Sequence, residues 1–165
     1  MKHALRLFLL IMVLIGAAVA SPAAADNNEV WLSYGDALEK AENEEKPVML
    51  FVEAEWCVHC QRMKEESFSR EDIRQKLTEN FYPVLIDLDS REKLQFRGEE
   101  ITERELARSL GVQTTPTTFF LDAEEEVLGS REAFMETEVI CDLLAFVNSE
   151  NFGEVSFEEF RNQRE

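Results

Sequence analysis

The strongest constraint on the fold is an apolar run, residues 48–52, that ends shortly before two cysteines three positions apart. An uninterrupted apolar run of this length predicts a strand buried on both faces, as in the middle of a mixed or parallel sheet. Cys57 and Cys60 follow this strand, and residues 61–66 then have the composition of a helix. Both thiols are therefore predicted to lie where a buried strand gives way to a helix.

Helix and strand patterns alternate along the rest of the chain. A helix capped by Ser33 is predicted to precede the first strand. Further strands are predicted over residues 82–88, 117–121 and 127–130, and a helical apolar stripe runs over residues 139–147. The predicted order is helix, strand, helix, strand, helix, strand, strand, helix. This order indicates an α/β fold, in which helices flank a central mixed sheet.

Short polar motifs predict where individual helices start and stop. Ser69 with Asp72, and Thr102 with Glu105, have the spacing of capping boxes. Gly111 lies where the helix that begins near Thr102 would need a left-handed stop. These motifs predict one helical stretch soon after the cysteines and another between the second and third strands.

Residues 1–25 have the three-part pattern of a cleaved signal peptide. Lys2 and Arg6 form a basic start, residues 7–20 are apolar or small, and small residues continue to Ala25. The alternative is a membrane anchor, but the 14 apolar residues would span about 21 Å as a helix, against a hydrocarbon core of about 30 Å. We therefore expect export with cleavage after Ala25, with cleavage after Ala20 as the alternative, and a mature chain of residues 26–165 that folds as one domain.

The end of the chain, from about residue 151, is interpreted as a tail rather than a second domain. Phe152, Phe157 and Phe160 stand there among acidic residues. Ser156 can cap a short helix at this point. We expect the tail to dock on the domain as a short capped segment.

The chain is strongly acidic. It has 17 Lys+Arg against 34 Asp+Glu, and loss of Lys2 and Arg6 with the signal peptide takes the formal charge from −17 to −19. Nucleic-acid backbones and anionic lipid surfaces attract clusters of Lys and Arg. Neither is therefore an expected partner, and stable membrane insertion is not expected after cleavage.

The cysteine pair is best interpreted as a redox couple. The free N–H groups and positive dipole of a helix start stabilise a thiolate at Cys57, and Cys60, one turn later, can attack a mixed disulfide formed there. A structural zinc site would need Cys57, Cys60, His59 and Cys141 together, and haem attachment would need a histidine in place of Gln61. An inert disulfide is a weaker interpretation, because so small a ring constrains little of the unfolded chain. No metal or cofactor is expected, and Cys141 is interpreted as a core residue rather than a third redox centre.

Two segments together carry a family resemblance. Residues 48–60, VMLFVEAEWCVHC, and residues 111–120, GVQTTPTTFF, resemble the paired motifs of the thioredoxin fold, a strand-ending Trp-Cys-x-x-Cys and a Thr-Pro before a later strand. Met63 followed by Ser67-Phe68-Ser69 is similar to exported thioredoxin-related proteins of the SoxW-like group, and to the periplasmic C-terminal domain of the transmembrane disulfide reductase. The similarity covers about residues 31–147.

The resemblance implies an activity and a substrate site. It implies a periplasmic thiol-disulfide oxidoreductase that reduces protein disulfides through Cys57 and Cys60, with a membrane thiol reductase as electron donor. It also implies that Pro116 follows a cis bond and faces the cysteines, and that backbone groups of Thr115 pair with the substrate. A trans proline at a strand entry is the alternative for Pro116. A disulfide oxidant or isomerase, and a non-catalytic binding or chaperone module, remain alternative functions.

Residues beside the cysteines differ from the family pattern at one position and could change the stability of a cysteine thiolate at others. Many thioredoxins have a buried Asp six residues before the first cysteine, where this chain has Phe51. Glu53 lies on the same strand face and could act as general base for Cys60, or could lie in solvent at the strand end. His59 could stabilise a thiolate or be a solvated side chain, and Trp56 is expected to shield the active-site face, with core packing as the alternative. Because acidic neighbours repel a thiolate that His59 would stabilise, the direction of electron flow is left open.

Overall fold

The computed structural model describes residues 30–44 and 46–164. The predicted signal peptide lies outside these residues. In chain order the elements are α1 (Tyr34–Glu44), β1 (Val48–Glu53), α2 (Val58–Met63), a π-helical segment (Lys64–Phe68), α3 (Glu71–Asn80), β2 (Tyr82–Asp87), β3 (Lys93–Phe96), β4 (Glu99–Thr102), α4 (Glu103–Ser109), β5 (Thr117–Leu121), β6 (Val127–Glu132), α5 (Thr137–Val147) and α6 (Phe157–Asn162). In the described part of the chain, no helix has the length and apolar character needed to cross a membrane.

A four-stranded mixed sheet forms the centre of the fold, with strand order β2-β1-β5-β6. β1 runs parallel to β2, with Val48 opposite Tyr82, and antiparallel to β5, with Val48 opposite Leu121. Every residue of β1 is buried, because this strand has a neighbour on each edge and helices over both faces. The predicted α/β fold with a central mixed sheet is confirmed.

Alternate side chains of β1 enter two separate cores. Met49 and Phe51 join a cluster that includes Cys57 and Cys60 and is completed by side chains of α3 and α5. The intervening side chains join a second cluster with α1 and α4. Since side chains alternate along a strand, Glu53 falls on the face that carries the cysteines.

Three of the predicted helix boundaries are confirmed. The N–H of Asp36 donates to Ser33 Oγ at 3.1 Å, which caps α1. Thr102 and Glu105 form a reciprocal capping box at the start of α4. Gly111 has φ of 77°, the left-handed conformation that favours glycine at the end of a helix.

The capping box predicted at Ser69 and Asp72 is wrong. α2 continues directly into the π-helical segment, and Ser69 Oγ donates a hydrogen bond to the carbonyl of Glu65 in that segment. α3 then follows an extended Arg70, and the helix has no side-chain cap. Asp72 pairs instead with Arg70, whose Nε lies 3.0 Å from its Oδ1. Both side chains of the motif are therefore used elsewhere.

A two-stranded hairpin, β3 and β4, separates β2 from α4 and was not predicted. The ring of Phe96 meets the ring of Tyr34 edge-on, with centroids 6.4 Å apart. At the hairpin tip the N–H of Arg97 donates to Glu125 Oε2 at 2.6 Å, and Tyr34 Oη donates to Glu125 Oε1 at 2.9 Å. Glu125, in the turn between β5 and β6, thus links the hairpin to α1 through two hydrogen bonds.

The C-terminal tail packs against α5. Ser156 and Glu159 form the capping box that starts α6. Phe157 and Phe160 are buried, and their ring centroids lie 5.7 and 5.1 Å from that of Phe146 on α5. The tail therefore extends the core on the side of the sheet that carries the cysteines.

Candidate functional site

Cys57 and Cys60 form a disulfide, with their Cα atoms 5.3 Å apart. Cys57 is the N-cap residue of α2, and its sulfur accepts a hydrogen bond from the N–H of Cys60 at 3.1 Å. Cys57 is 5% exposed and Cys60 is fully buried. An N–H aimed at the Cys57 sulfur stabilises negative charge there, so the local geometry favours a thiolate at Cys57 when the disulfide opens.

A tight turn after β1 brings the two cysteines to this position. The N–H of Cys57 donates to the carbonyl of Ala54 at 2.9 Å, which closes the turn. The carbonyl of Cys57 then accepts from the N–H of Gln61 at 3.1 Å, which starts the helix. Both sulfurs therefore lie at the end of the sheet where β1 ends.

Trp56 lies on the surface beside the disulfide. It is 67% exposed, and the neighbouring Val58 is 73% exposed. The indole Nε1 of Trp56 donates to Asp89 Oδ2 at 2.7 Å, and the carbonyl of Asp89 accepts from Arg104 Nη2 at 2.9 Å. Core packing is therefore not the role of Trp56, and the disulfide is bordered by two exposed apolar side chains.

His59 is exposed but has an aromatic neighbour. Its ring centroid lies 5.3 Å from that of Phe134, in the segment between β6 and α5. The guanidinium of Arg62 lies 4.6 Å from the same Phe134 ring and also contacts Glu136, with Nη2 and Oε1 3.3 Å apart. Phe134 thus forms part of the surface around the cysteines together with His59.

Glu53 is buried below the cysteines, not solvated at the strand end. It is 6% exposed, and both of its carboxylate oxygens lie 2.6 Å from Lys64 Nζ. Oε1 accepts a hydrogen bond from this ammonium group, whereas Oε2 is buried without a hydrogen bond. Lys64 is the first residue of the π-helical segment and is one-third exposed. The repulsion expected between Glu53 and a nearby thiolate is therefore opposed by a cation in direct contact with Glu53.

Thr115 and Pro116 lie at the same end of the sheet as the disulfide. The peptide bond between them is cis. β5 begins at the next residue, Thr117, which pairs with Val52 near the end of β1. Pro116 is buried, and Thr115 Oγ1 is buried without a hydrogen-bond partner. The antiparallel pairing of β5 with β1 thus brings two segments that are distant in sequence to one site.

Cys141 lies outside this site. It is a free thiol on α5, half-buried against the core cluster. Within residues 30–44 and 46–164, no group of three or more His, Cys, Asp or Glu side chains is arranged to hold a metal ion.

The sequence interpretation missed three residues around the disulfide: Lys64, Asp89 and Phe134. Lys64 stands four positions after Cys60, a helical spacing that could have placed it on the same helix face. Asp89 and Phe134 come from loops that are distant in sequence, and no local motif marks either of them.

A family model described as a thioredoxin-like domain matches residues 34–148. Among curated proteins, the chain is 28% identical to the disulfide bond reductase DsbH of Chlamydia pneumoniae over 108 residues, which is 65% of this chain and 64% of DsbH. It is 41% identical to rat (Rattus norvegicus) spermatogenesis-associated protein 20 over 68 residues, which is 41% of this chain but only 9% of that protein. The chain thus spans less than two-thirds of the length of both relatives.

Solved structures show the same fold. A thioredoxin-fold protein from Helicobacter pylori superposes with a TM-score of 0.62 at 18% identity, covering 85% of this chain and 89% of that one. The DsbD C-terminal domain of Neisseria meningitidis in its reduced form gives a TM-score of 0.51 at 19% identity, covering 70% of this chain and 93% of the domain. The resemblance inferred from the two motifs is confirmed. The chain belongs to the thioredoxin-like domain family and carries the two cysteines of its Trp-Cys-x-x-Cys motif as a closed disulfide.

Proposed function

We propose that this protein is a thiol-disulfide oxidoreductase that reduces disulfides in other proteins. The observation that carries the proposal is the Cys57–Cys60 disulfide at the start of α2, with the Cys57 sulfur facing a helix N–H. The exposed Trp56 and Val58 beside it offer an apolar contact surface for a polypeptide. The match to the thioredoxin-like family and the similarity to DsbH support the same activity.

The reaction proceeds by two thiolate exchanges. The Cys57 thiolate attacks one sulfur of the substrate disulfide, so that a mixed disulfide forms and the other substrate sulfur leaves as a thiolate. Cys60 loses its proton and attacks the Cys57 sulfur of the mixed disulfide. The second substrate sulfur then leaves, the Cys57–Cys60 disulfide is restored, and the two electrons of the dithiol have passed to the substrate.

Residues around the pair have distinct roles in this proposal. Glu53, buried on the face of the sheet that carries both cysteines, accepts the proton of Cys60. His59 stabilises the thiolate at Cys57, and Trp56 covers the site and contacts the substrate. The backbone of Thr115, held beside the disulfide by Pro116, pairs with an extended segment of the substrate.

We also propose that the protein works in the periplasm. Residues 1–25 would direct export and be removed, so that residues 26–165 form the working domain with its C-terminal tail. A membrane thiol reductase would then return electrons to the Cys57–Cys60 disulfide. The acidic mature chain, with a formal charge of −19 after loss of Lys2 and Arg6 from a total of −17, is unsuited to a nucleic-acid partner.

Trapping of mixed disulfides tests the proposed activity. In a Cys141→Ser background, Cys60→Ser leaves Cys57 able to attack but removes the thiol that resolves the intermediate. This variant should accumulate disulfide-linked partner proteins in the periplasm, and the matched Cys57→Ser variant should not. If Cys60→Ser captures no protein and the unmodified chain does not accelerate reduction of a protein disulfide by dithiothreitol, the proposed activity is wrong.

The reduction potential of the Cys57–Cys60 couple, measured by equilibration with glutathione, distinguishes a reductase from an oxidant or isomerase. A reduction potential near that of thioredoxin, about −270 mV, supports a reductase. A potential near that of protein disulfide isomerase, about −180 mV, or higher supports an isomerase or oxidant. Full biological activity after replacement of both Cys57 and Cys60 by Ser would instead support a non-catalytic binding module.

A further inference from the structure

Arg104, in the first turn of α4, binds the residue that accepts the hydrogen bond of the Trp56 indole. Its Nη2 donates to the backbone carbonyl of Asp89 at 2.9 Å and lies 3.4 Å from Asp89 Oδ1. The other carboxylate oxygen, Oδ2, accepts from the indole N–H of Trp56 at 2.7 Å. Asp89 is therefore bonded on one side to α4 and on the other to the exposed ring beside the disulfide.

Asp89 lies in a loop, residues 88–92, whose two ends are bonded to other elements. At the start of the loop, the N–H of Leu88 donates to the last carbonyl of β1 at 2.8 Å. At its end, the carbonyl of Glu92 accepts from the N–H of Glu103, the first residue of α4, at 3.0 Å. The ends of the loop are therefore fixed, and the position of Asp89 between them depends on the contacts that Asp89 itself makes.

The β3–β4 hairpin explains how α4 reaches this loop. The hairpin begins directly after the loop and ends where α4 begins. Lys93, its first residue, is the register partner of Thr102, its last. Because the two strands are paired along their length, the segments that enter and leave the hairpin lie next to each other. The hairpin, which the sequence did not predict, therefore places Arg104 beside Asp89.

We infer that Arg104 is a positioning residue for substrate recognition: through Asp89 it fixes the Trp56 ring in the orientation that contacts a polypeptide beside the disulfide. This inference rests on the proposed function and adds to it a residue outside the contact surface. Trp56 is 67% exposed, so packing restrains its ring weakly and the hydrogen bond of its indole has a large share in its orientation. A ring that is already oriented loses less conformational freedom when a substrate binds.

Arg104 also determines which way the Asp89 carboxylate faces. One nitrogen, Nη2, contacts both the backbone carbonyl and Oδ1 of Asp89, so this side of the carboxylate is occupied and Oδ2 is left for the indole. The side chain of Asp89 is 50% exposed, and that of Arg104 is 32% exposed. Without the guanidinium, the carboxylate has an open route into water, where a charge is better hydrated than beside a neutral ring. The indole of Trp56 then loses its acceptor for part of the time.

The size of the effect follows from the freedom that the Trp56 ring would regain. Ordering one free side chain at an interface weakens binding by about 2- to 12-fold. The N–H of Asp89 also donates to Asp87 Oδ1 at 2.9 Å, so the loop keeps part of its restraint when Arg104 is replaced. We therefore expect Arg104→Met to raise the KM for a protein disulfide by about 2- to 5-fold. The kcat should stay within about 1.5-fold, because the lost contact affects the bound substrate and the transition state equally.

The test compares variants of one helix on two substrates. Arg104→Met removes the guanidinium and keeps an unbranched side chain, and Arg104→Lys keeps the charge with a single donor group. Arg108→Met, one turn later on α4 and exposed, is the matched control for the change of net charge. Hydroxyethyl disulfide is the small substrate, because it has no polypeptide segment to contact Trp56. Arg104→Met should raise the KM for the protein disulfide alone, Arg104→Lys should raise it less, and Arg108→Met should leave it unchanged.

The fluorescence of Trp56 distinguishes positioning from a general loss of structure. In a Trp31→Phe background, Arg104→Met should lower the fluorescence anisotropy of Trp56. When the chain also carries Asp89→Ala, the indole has already lost its acceptor, so Arg104→Met should cause no further fall. A general loosening of the fold would instead lower the anisotropy by a similar amount in both backgrounds.

An unchanged KM in Arg104→Met, an equal rise in Arg108→Met, or the same rise with hydroxyethyl disulfide would overturn the inference. A further fall in anisotropy when Arg104→Met is added to Asp89→Ala would overturn it as well. These results differ from a failure of the proposed function, in which the unmodified chain itself would reduce no protein disulfide.

Discussion

The Glu53–Lys64 pair predicts an unequal loss of stability when either partner is removed. Glu53 has a side chain that is 8% exposed, whereas the side chain of Lys64 is 34% exposed. If Glu53 is replaced by Gln, the lysine can move its ammonium group into water. If Lys64 is replaced by Met, the carboxylate has no such route. Removal of the cation should therefore destabilise the oxidised protein more than removal of the anion.

The size of each effect follows from the burial of the group that is left behind. Breaking a fully buried ion pair costs about 3–5 kcal/mol, and exposed pairs contribute about 0–1 kcal/mol. Since one partner reaches solvent, we expect Lys64→Met to cost about 2 kcal/mol at pH 7 and Glu53→Gln to cost about 1 kcal/mol or less. The difference of about 1 kcal/mol is large enough for urea unfolding to resolve.

Urea unfolding of the oxidised proteins at about pH 7, with the midpoint and slope fitted together, measures each cost. Equal losses for the two variants, or a larger loss for Glu53→Gln, would show that the carboxylate left behind in Lys64→Met is not held in a buried environment.

Three further predictions concern other parts of the molecule. Burial raises the pKa of Glu103 above its usual value of 4.5. The stabilisation from this group is therefore present at pH values below 4.5 and is lost as the pH rises through the raised pKa. Glu103→Gln should make the fall in stability toward neutral pH less steep, and an unchanged slope of urea midpoint against pH would contradict this. Phe160→Ala should lower the free energy of unfolding by about 3 kcal/mol, because the ring is 7% exposed and its centroid lies 5.1 Å from that of Phe146; the rate of disulfide reduction per folded molecule should not change, and a loss of rate would place the tail in the site. Asp89→Ala removes the acceptor of the Trp56 indole and should increase the mobility of that ring, measured as lower Trp56 fluorescence anisotropy in a Trp31→Phe background; no change would mean that packing alone holds Trp56.

Local patterns account for most of the elements that the sequence predicts correctly. The apolar run of β1 requires burial on both faces whatever surrounds it, and the Thr102–Glu105 box and the cap at Ser156 each involve residues within four positions. The cysteine pair is equally local, because a strand end, a turn and a helix start suffice to place it. These features are determined by residues close in sequence, so they can be predicted without knowledge of the tertiary structure.

The failures arise where distant residues decide the structure. Ser69 and Asp72 have the spacing of a capping box, but the π-helical segment carries Ser69 to the carbonyl of Glu65. The strands of the β3–β4 hairpin are short and charged, and the hairpin is held by Tyr34 and Glu125 from elsewhere in the chain. Glu53 was placed on the correct face, but its burial was left open, because the ion pair with Lys64 that accompanies it joins two different elements.

The position of β1 in the sheet has a consequence for the order of folding. Val48 pairs with Tyr82 and Leu121, which lie 34 and 73 positions later (82 − 48 and 121 − 48). Closing loops of this length costs entropy that only the completed contacts repay. The ring between Cys57 and Cys60 spans three positions and needs no such closure. A disulfide between Cys60 and Cys141 would instead close a loop of 81 positions (141 − 60), so chain entropy favours the native pairing over mispairing before the sheet is complete.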